Sequence, residues 1–352
     1  FGQWKCPGNG YEDSSRSDAL TVLFDGTTNI AGSVTATSFI GDGSQLTNLP
    51  PNSPFSPNTT SGTGIQSPTN TATGTFSVAM GDSTTASGIS STAMGSGTQA
   101  SGVVSTAMGR ITIASGNFAT AMGDFTIASG ALSTAMGDST TASGNTSTAM
   151  GLETIASGAA STAMGFYTTA SGDYSTAMGT STTASDNSSL VIGHFNLSGS
   201  TVTANAADFS LDNTAFVVGN GTASNNRSDA LVVKFNGDAT LAGNLNINSD
   251  ARLKANIISL GSTLAKLLQI DGKSYTMKKD ENKKQKIGLL AQDIEKVFPE
   301  LVSESHGVKS VNYQGLVPVL INALKDQEKK IKSQESKLLK LESLVQDLID
   351  NQ

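Results

Sequence analysis

Methionine recurs every fourteen residues through the middle of this chain, from Met80 to Met178, and Ile192 occupies the next place in the series. Around each methionine stands the phrase Ser-Thr-Ala-Met-Gly, with small variations, and a second phrase, Thr-x-Ala-Ser-Gly, follows a few residues later. A period this strict predicts a solenoid, in which each repeat is one coil stacked on its neighbours, rather than a compact globular domain.

Both phrases of a unit read as short strands that end near a glycine, the residue best suited to a tight corner. Alternation along the strand places Thr92 and Met94 on one face and Ala93 on the other. In the first and last units Val78 and Leu190 replace the threonine. We therefore predict that the threonine and methionine face points inward, with the methionines packing rather than binding metal.

The units resemble the head repeats of YadA-like trimeric adhesins, whose phrase is Asn/Ser-Val-Ala-Ile-Gly followed by Ala-x-Gly. The resemblance covers residues 64–196, with methionine where that family prefers isoleucine and threonine where it prefers valine. It implies a left-handed parallel β-roll in which three chains pack side by side.

A second pattern flanks the repeats, because residues 16–34 recur in altered form at 227–245. In both copies a dipeptide between apolar runs, Asp25-Gly26 and Asn236-Gly237, predicts a two-residue β-hairpin. The phrase at 39–49 resembles one that forms thin trimeric shafts in phage and bacterial fibres. Residues 215–218, Ala-Phe-Val-Val, predict one further strand.

These patterns divide the chain into five regions. We predict a β connector and shaft module at 1–49, a proline-rich joint at 50–68 and a β-roll at 69–196. A second connector at 197–248 repeats the 16–34 module, and a region of different composition occupies 249–352. Because the opening residues Phe-Gly-Gln-Trp echo Ile-Gly-His-Phe at 192–195, we expect the chain to be a piece of a longer fibre.

Composition excludes several classes of function. The chain has a formal net charge of −7, whereas a nucleic-acid partner requires a basic face. It has no apolar run long enough to insert into a membrane. Cys6 is the single cysteine, and His194 and His306 are far apart, so we expect no metal site and no cofactor.

The composition changes at Ser249, where lysine becomes common and the segment rich in glycine and threonine ends. The boundary phrase at 249–257 is followed by Gly-Leu-Leu-Ala-Gln-Asp at 288–293, Phe-Pro-Glu-Leu-Val at 298–302 and Ser-Val-Asn-Tyr at 310–313. These motifs resemble the C-terminal intramolecular chaperone of phage tailspikes and fibres, a self-cleaving serine peptidase family first associated with endosialidases. The resemblance covers 249–352 and implies an α+β domain that assembles as a trimer.

The same resemblance implies a catalytic pair. Ser249 would be the nucleophile and Lys254 its base, with the chain cut once, between Asn248 and Ser249. A serine hydroxyl needs such a base, and a lysine serves only when it is neutral, which burial or a nearby positive charge favours. Arg252 is a candidate for that charge, and Asp250 for orienting the turn. The simpler interpretation is that Ser249 and Asp250 cap a helix that begins near residue 251.

The end of the chain, from about 316 to 352, has the heptad spacing of a coiled coil, and we expect three strands. The apolar positions define what we call the heptad seam: Val317, Leu320, Leu324, Gln327, Ile331, Gln334, Leu338, Leu341, Val345 and Leu348.

The sequence thus predicts a mainly β, fibrous homotrimer, with a β-roll, β connectors and a chaperone that ends in a trimeric coiled coil. We expect a phage tail fibre that binds a glycan or protein receptor at the host surface, and whose chaperone aligns three chains and then cuts itself off. A bacterial trimeric surface adhesin is the first alternative. The second is an ice-binding solenoid, suggested by a ladder of one threonine per coil: Thr84, Thr98, Thr112, Thr126, Thr140, Thr154, Thr168 and Thr182.

Overall fold

The structure is a computed structural model, and it describes residues 4–5, 20–22, 28–30, 56–57, 64–198, 206–278, 280 and 283–351. The predictions for Cys6, the Asp25-Gly26 turn, the shaft phrase at 39–49 and most of the proline-rich joint lie outside these residues.

The repeats form a parallel β-solenoid. Each coil contributes one strand with its methionine to a long sheet and one two-residue strand to a short sheet. Within the described residues the long sheet has 14 strands and the short sheet has 9. Met108 pairs in register with Met94 on one side and with Met122 on the other, so one step along the sheet is one sequence repeat, as predicted.

The strands of the long sheet, in chain order, are Ser56–Pro57, Gly64–Gln66, Ser77–Asp82, Thr92–Ser96, Thr106–Arg110, Thr120–Asp124, Thr134–Asp138, Thr148–Leu152, Thr162–Phe166, Thr176–Thr180, Leu190–His194, Thr214–Asn220, Asp229–Lys234 and Ala239–Leu241. Those of the short sheet are Thr71–Ala72, Thr85–Ala86, Gln99–Ala100, Ile113–Ala114, Ile127–Ala128, Thr141–Ala142, Ile155–Ala156, Thr169–Ala170 and Thr183–Ala184.

The prediction of the inward face was wrong. Ala93 is fully buried inside the coil, whereas Thr92 and Met94 are half-buried on its outer side. Val78 and Leu190, which guided the prediction, lie on that outer face as well. The physical reason is the size of the coil. Two strands and two corners made from fourteen residues enclose a lumen that alanine, serine and threonine fill, and the longer side chains must point away from it.

The one-per-coil threonines lie in that lumen. Thr98, like the equivalent threonine of the other coils, has 0–1% of its surface exposed. An ice-binding face must present its threonines to water, so this ladder does not support the ice-binding alternative. Its role is packing, in a column that runs parallel to the buried alanines.

Glycine is required where the coils approach each other most closely. At Gly109 the backbone has φ +123°, and an added Cβ would lie 1.9 Å from the carbonyl oxygen of Gly123 in the next coil. No side chain fits such a gap, and only glycine adopts this backbone conformation freely.

Asparagine replaces the lumen threonine at both ends of the solenoid. Asn70 accepts a hydrogen bond from the backbone N–H of Thr84 at 3.0 Å through its Oδ1. At the other end, Asn196 accepts one from the N–H of Thr183 at 2.7 Å and donates one to the carbonyl of Thr183 at 2.9 Å. At the Asn196 end the side-chain amide therefore pairs with backbone groups of Thr183 that have no further coil of the same kind to bond.

The connector continues the long sheet. The predicted strand at 215–218 is confirmed as Thr214–Asn220, which pairs in parallel with Leu190–His194. Asp229–Lys234 then pairs antiparallel with it and with Ala239–Leu241. The hairpin between the last two strands is as expected, except that its turn spans residues 235–237, with the Lys234 N–H bonded to the Asp238 carbonyl at 2.9 Å.

The first copy of this module has the same register. Leu20 pairs with Ile30 in the strands Leu20–Val22 and Thr28–Ile30, as Leu231 pairs with Leu241 at the equivalent positions of the second copy. The strand Trp4–Lys5 pairs with the first of these, with Trp4 opposite Val22. It therefore takes the place of Phe216–Val217 in the second copy, and not that of residues 192–195, which its sequence resembles.

Beyond residue 249 the chain forms small α and β elements around a compact core. The 3-10 turn Ala251–Leu253 and the helix Leu264–Leu267 precede the hairpin of Lys273–Thr276 and Gln285–Gly288. The helix Ala291–Val297 and the 3-10 turn Pro299–Leu301 lead to a second hairpin, Val302–Ser305 with Val308–Val311, and then to the 3-10 turn Tyr313–Gly315. Ile294, Phe298 and Val319 are the buried centre of this body.

The chain ends in one long helix, Leu316–Asp350. Only its first turns pack on the body, through Leu316, Val319 and Ala323. Every residue from 327 to 351 is exposed, including the heptad seam. No helix among the described residues has the length and apolar character that would carry it across a membrane.

Candidate functional site

The candidate site lies on an exposed stretch between the connector and the chaperone body. Residues 239–262 are all exposed, and the 3-10 turn Ala251–Leu253 is the one helical element within them. Asp250 caps that turn, because its Oδ1 accepts a hydrogen bond from the Arg252 N–H at 2.9 Å. The helix predicted to begin near residue 251 is thus a single turn.

The turn brings the predicted catalytic pair together. Lys254 closes it, with its N–H bonded to the carbonyl of Ala251 at 3.1 Å. Its side chain folds back over the turn, and Nζ donates a hydrogen bond to Ser249 Oγ at 2.6 Å. This distance is short enough for direct proton transfer between a hydroxyl and an amine.

Arg252 and Asp250 form a second pair beside the first. The guanidinium donates to both carboxylate oxygens, with Nη2 at 2.6 Å from Oδ2. The hydrogen bond from the guanidinium lowers the pKa of Asp250 below its ordinary value. Because the carboxylate balances the charge of Arg252, this pair is better suited to holding the turn than to lending positive charge to Lys254.

Solvent surrounds the pair in the single chain. Ser249 and Lys254 are both exposed, as is Asn248 on the other side of the predicted cleavage bond. A lysine acts as a base after it has lost its proton, and burial is the usual way to favour that form. One copy of the chain therefore provides the alignment of the two groups without the burial that would activate them.

A set of contacts that the sequence patterns did not predict anchors this stretch to the long helix. Asp326 accepts hydrogen bonds from Ser262 Oγ at 2.7 Å and from the Thr263 N–H at 3.1 Å. The buried Thr263 hydroxyl donates to the carbonyl of Val319 at 2.7 Å. An aspartate in a charged helix looks like any solvated residue, so no sequence signal marked it.

The three phrases at 288–293, 298–302 and 310–313 of the chaperone region meet in one place. The Tyr313 hydroxyl accepts a hydrogen bond from the Leu289 N–H at 2.9 Å, and the Asn312 N–H donates to the Leu301 carbonyl at 2.8 Å. These residues thus hold the body together and lie in a part of the fold distinct from the exposed turn at 249–254. Among the described residues no group of three or more histidine, cysteine, aspartate or glutamate side chains could hold a metal ion.

Comparison with known families covers both halves of the chain. The YadA head domain repeat matches at 72–98, 100–126, 128–154, 142–168, 156–182 and 170–196. A peptidase family described as the chaperone of endosialidase matches residues 249–303. Residues between 72 and 196 are thus similar to YadA head repeats, and residues 249–303 to the chaperone of endosialidase. The second match indicates a self-cleaving intramolecular chaperone, and its first residue is Ser249.

One curated relative is a phage tail fibre protein. The chain is similar to the long tail fiber protein Gp37 of Salmonella phage S16, with 30% identity over 125 residues. The matched region is 33% of this chain and 17% of the relative, so the comparison concerns a small part of that protein.

Proposed function

We propose that this chain forms a trimeric phage tail fibre, in which the chaperone segment aligns three copies and then cuts itself off between Asn248 and Ser249. The observation that carries the proposal is that the single chain leaves two long apolar surfaces incomplete, one on the solenoid and one on the helix. The head repeats, the chaperone segment and the tail-fibre relative support the same assembly.

The first incomplete surface is the outer side of the long sheet, which we call the methionine face. Successive coils place there a continuous column of half-buried side chains: Met80, Met94, Met108, Met122, Met136, Met150, Met164, Met178, Ile192 and Val218. A column of this length removed from water would contribute substantially to assembly, and thioethers adapt well to the same column on a second chain. Three such faces around one axis would make a shared core.

The second incomplete surface is the heptad seam. Leu338 is 56% exposed in the single chain, and Leu341 is 58% exposed. A helix whose apolar residues recur in steps of three and four is stable in water when it winds around another such helix. The seam gives the three chains a common starting register.

The cleavage chemistry follows from the position of Ser249 next to the bond that is cut. Neutral Lys254 takes the hydroxyl proton as Oγ attacks the carbonyl carbon of Asn248, which lies within reach through a five-membered ring. The new C–O bond replaces the C–N bond, and the departing nitrogen takes a proton to become the free amine of Ser249. Water then hydrolyses the ester, which leaves a carboxylate on Asn248 and restores the serine hydroxyl.

Assembly would control this reaction. Lys254 is exposed in the single chain, and neighbouring protomers around the axis would supply the burial that disfavours its charged form. Unassembled chains would therefore stay whole, and only aligned trimers would release their chaperone. After release, an unfolded fibre cannot retrace the path by which it assembled, so its stability becomes kinetic.

Expression of the full chain beside the variants Ser249→Ala and Lys254→Met tests the proposal. Denaturing gels should show two fragments for the wild type, the smaller beginning at Ser249 by N-terminal sequencing, and one intact band for each variant. Ser259→Ala, an exposed serine in the same stretch, is the matched control and should cut normally. Sedimentation should give a trimer in every case. A wild-type monomer would contradict the assembly, and an intact wild-type trimer would contradict the cleavage alone.

The fibre would act on the outside of the virion and bind a glycan or protein on the host surface. The tail-fibre relative favours this setting over the bacterial surface adhesin, whose shaft could use the same repeats. Binding of the purified fibre to susceptible and resistant bacterial cells would test the receptor.

A further inference from the structure

The repeats are strict in their strands and variable in their corners. Each coil turns at two residues seven positions apart, both in the left-handed backbone region, and we name these corner one and corner two. Corner one follows the long strand: Ser83, Gly97, Ile111, Phe125, Ser139, Glu153, Tyr167 and Ser181. Corner two precedes the next long strand: Ser90, Val104, Phe118, Leu132, Thr146, Ala160, Tyr174 and Ser188.

Folding of the solenoid does not explain the bulky members of these sets. A left-handed backbone disfavours side chains larger than glycine or asparagine by about 1 kcal/mol or more, most of all β-branched ones. Yet Ile111 has φ 54° and Val104 φ 55°. Their side chains are also exposed, 42% for Ile111 and 47% for Val104, so burial within the chain does not offset the strain. Strain of this kind at several sites indicates that these side chains function through contacts outside their own coil.

The two corners of one coil match in character in six of the eight coils, the exceptions being Gly97 with Val104 and Glu153 with Ala160. Three coils carry a large apolar residue at both: Ile111 with Phe118, Phe125 with Leu132, and Tyr167 with Tyr174. Three coils carry a small hydroxyl residue at both: Ser83 with Ser90, Ser139 with Thr146, and Ser181 with Ser188.

The opposite pairing of the corners matches less often, with two large apolar pairs, Val104 with Ile111 and Phe118 with Phe125. Joining each corner one to the preceding corner two sets Phe76 against Ser83, Leu132 against Ser139 and Tyr174 against Ser181. The correspondence is therefore stronger in one direction, from a corner one to the corner two that follows it.

Matched corners do not touch within one chain. They lie at opposite edges of the coil, separated by a strand of five residues such as Thr106–Arg110, which is about 16 Å long. Across a three-fold axis, however, the corner-one edge of one protomer meets the corner-two edge of the next, since such contacts join unlike surfaces. The matched residues differ in height by half a coil, about 2.4 Å.

We infer that the corners form a seam between protomers, in which corner one of one copy packs against corner two of the same coil in its neighbour. This inference rests on the trimer proposed above and adds the surface and register of its contact. Large apolar pairs would close the seam at the adjacent coils of Ile111 and Phe125 and again at the coil of Tyr167, with the small pair of Ser139 and Thr146 between them.

Cysteine cross-linking tests the seam at a coil where both corners are small. The full chain carrying Cys6→Ser, Ser139→Cys and Thr146→Cys should, on mild oxidation or with a short bismaleimide, give a band of three linked chains on a non-reducing gel. Each single cysteine should give none, because it would face a Ser139 or Thr146 that is unchanged. Ser139→Cys with Ser188→Cys, three coils away, is the distance control and should also give none.

Sedimentation of the same samples distinguishes a failure of the seam from a failure of the trimer itself. A trimer that does not cross-link overturns the seam and leaves the trimer standing, whereas a monomer overturns both. Linking by either single cysteine would show that like corners meet, which also overturns the seam. If Tyr167→Ser with Tyr174→Ser leaves the unfolding temperature unchanged but abolishes binding to cells, the corners are a receptor surface and the seam is wrong. The seam predicts a lower unfolding temperature for that double variant.

Discussion

The solenoid buries much of its apolar surface within its own chain, whereas the C-terminal helix leaves most of its apolar surface exposed. Each coil of the solenoid completes its own lumen, in which Ala93 and Thr98 are fully buried by the same chain. The helix buries only its first turns against the body, and every residue from 327 to 351 is exposed. The difference separates what one chain can fold from what, in the proposed trimer, three chains would build together.

The comparison also gives the two regions different roles in assembly. Identical coils stack equally well in several registers, and parallel strands from distant parts of a chain pair slowly. A heptad seam requires only local helical structure and finds its partners through ten positions that differ along their length. In the proposed fibre the helix therefore fixes the alignment that the uniform repeats cannot fix for themselves.

The largest effect on stability is expected at a glycine between two coils, where an added Cβ would clash with the next backbone. Gly109→Ala places a Cβ 1.9 Å from the carbonyl oxygen of Gly123 and forces alanine to φ +123°. Since neither backbone can move without breaking the ladder, we expect a loss of about 4 kcal/mol or more in the free energy of unfolding. Circular dichroism during thermal unfolding measures it.

Gly243→Ala is the matched control, because nothing lies within 4 Å of its added Cβ. It should unfold like the wild type. Normal stability of the Gly109 variant would contradict the close packing of the coils.

A charge on the heptad seam should produce the next largest effect, and it should act on assembly rather than on the chain's own fold. Leu338→Asp puts a carboxylate where three helices would meet, and a buried unpaired charge there is strongly unfavourable. We expect sedimentation to show a loss of trimer and denaturing gels to show a loss of cleavage.

Leu339 provides the control, since it is the next residue, is equally apolar and is 66% exposed, but lies off the seam. Leu339→Asp should leave both assembly and cleavage intact. Equal effects of the two substitutions would mean that the helix docks through some other face.

The same comparison explains which features the sequence could predict. Period and strand alternation are local properties, so the coils, their register and the hairpin of the connector followed from the repeats themselves. The direction of the faces did not, because alternation distinguishes two sides without saying which one closes on itself. The volume of the lumen decides that, and it favours Ala93 over Met94.

The candidate site shows the same limit. The resemblance to the chaperone family predicted the pairing of Ser249 with Lys254, which the spacing alone did not favour over a simple helix cap; their Oγ and Nζ atoms lie 2.6 Å apart. Their exposure was not predicted, because burial in a fibre depends on neighbouring chains. The end residues Asn70, Asp186 and Asn196 were missed because in sequence they look like imperfect repeats.

A moderate effect is expected at the junction between the solenoid and the connector. Asp186 stands where the other coils have glycine, is 2% exposed, and accepts hydrogen bonds from the Thr214 N–H at 2.8 Å and from its hydroxyl at 2.6 Å. Asp186→Ala would leave both donors without this charged acceptor, at a cost of about 1–3 kcal/mol. Hydrogen exchange should show faster opening of residues 213–220.

Asp138→Ala is the control, because Asp138 is exposed at the end of a strand in the middle of the solenoid. It should change exchange neither in its own coil nor in the connector. Equal protection of residues 213–220 in both variants would mean that the last coil holds the connector without the aspartate.

The smallest effect concerns the link between the exposed stretch and the helix, and it depends on pH. The hydrogen bond from Ser262 is the main cause that lowers the pKa of Asp326, helped by the backbone N–H of Thr263. A carboxyl whose pKa falls on folding stabilises the folded state at every pH above its unfolded pKa, about 3.9, and loses that contribution as the pH falls through the lower folded pKa.

Protection of the Thr263 amide against exchange, corrected for the intrinsic rate, should therefore decrease below about pH 4 in the wild type. In Asp326→Asn it should be lower already at pH 7 and change little on acidification, since no carboxyl remains to titrate. If acid reduced protection equally in both proteins, another group would control the anchor. The stretch that carries Ser249 would then be held to the helix mainly by the Thr263 hydroxyl and the Val319 carbonyl, which do not titrate.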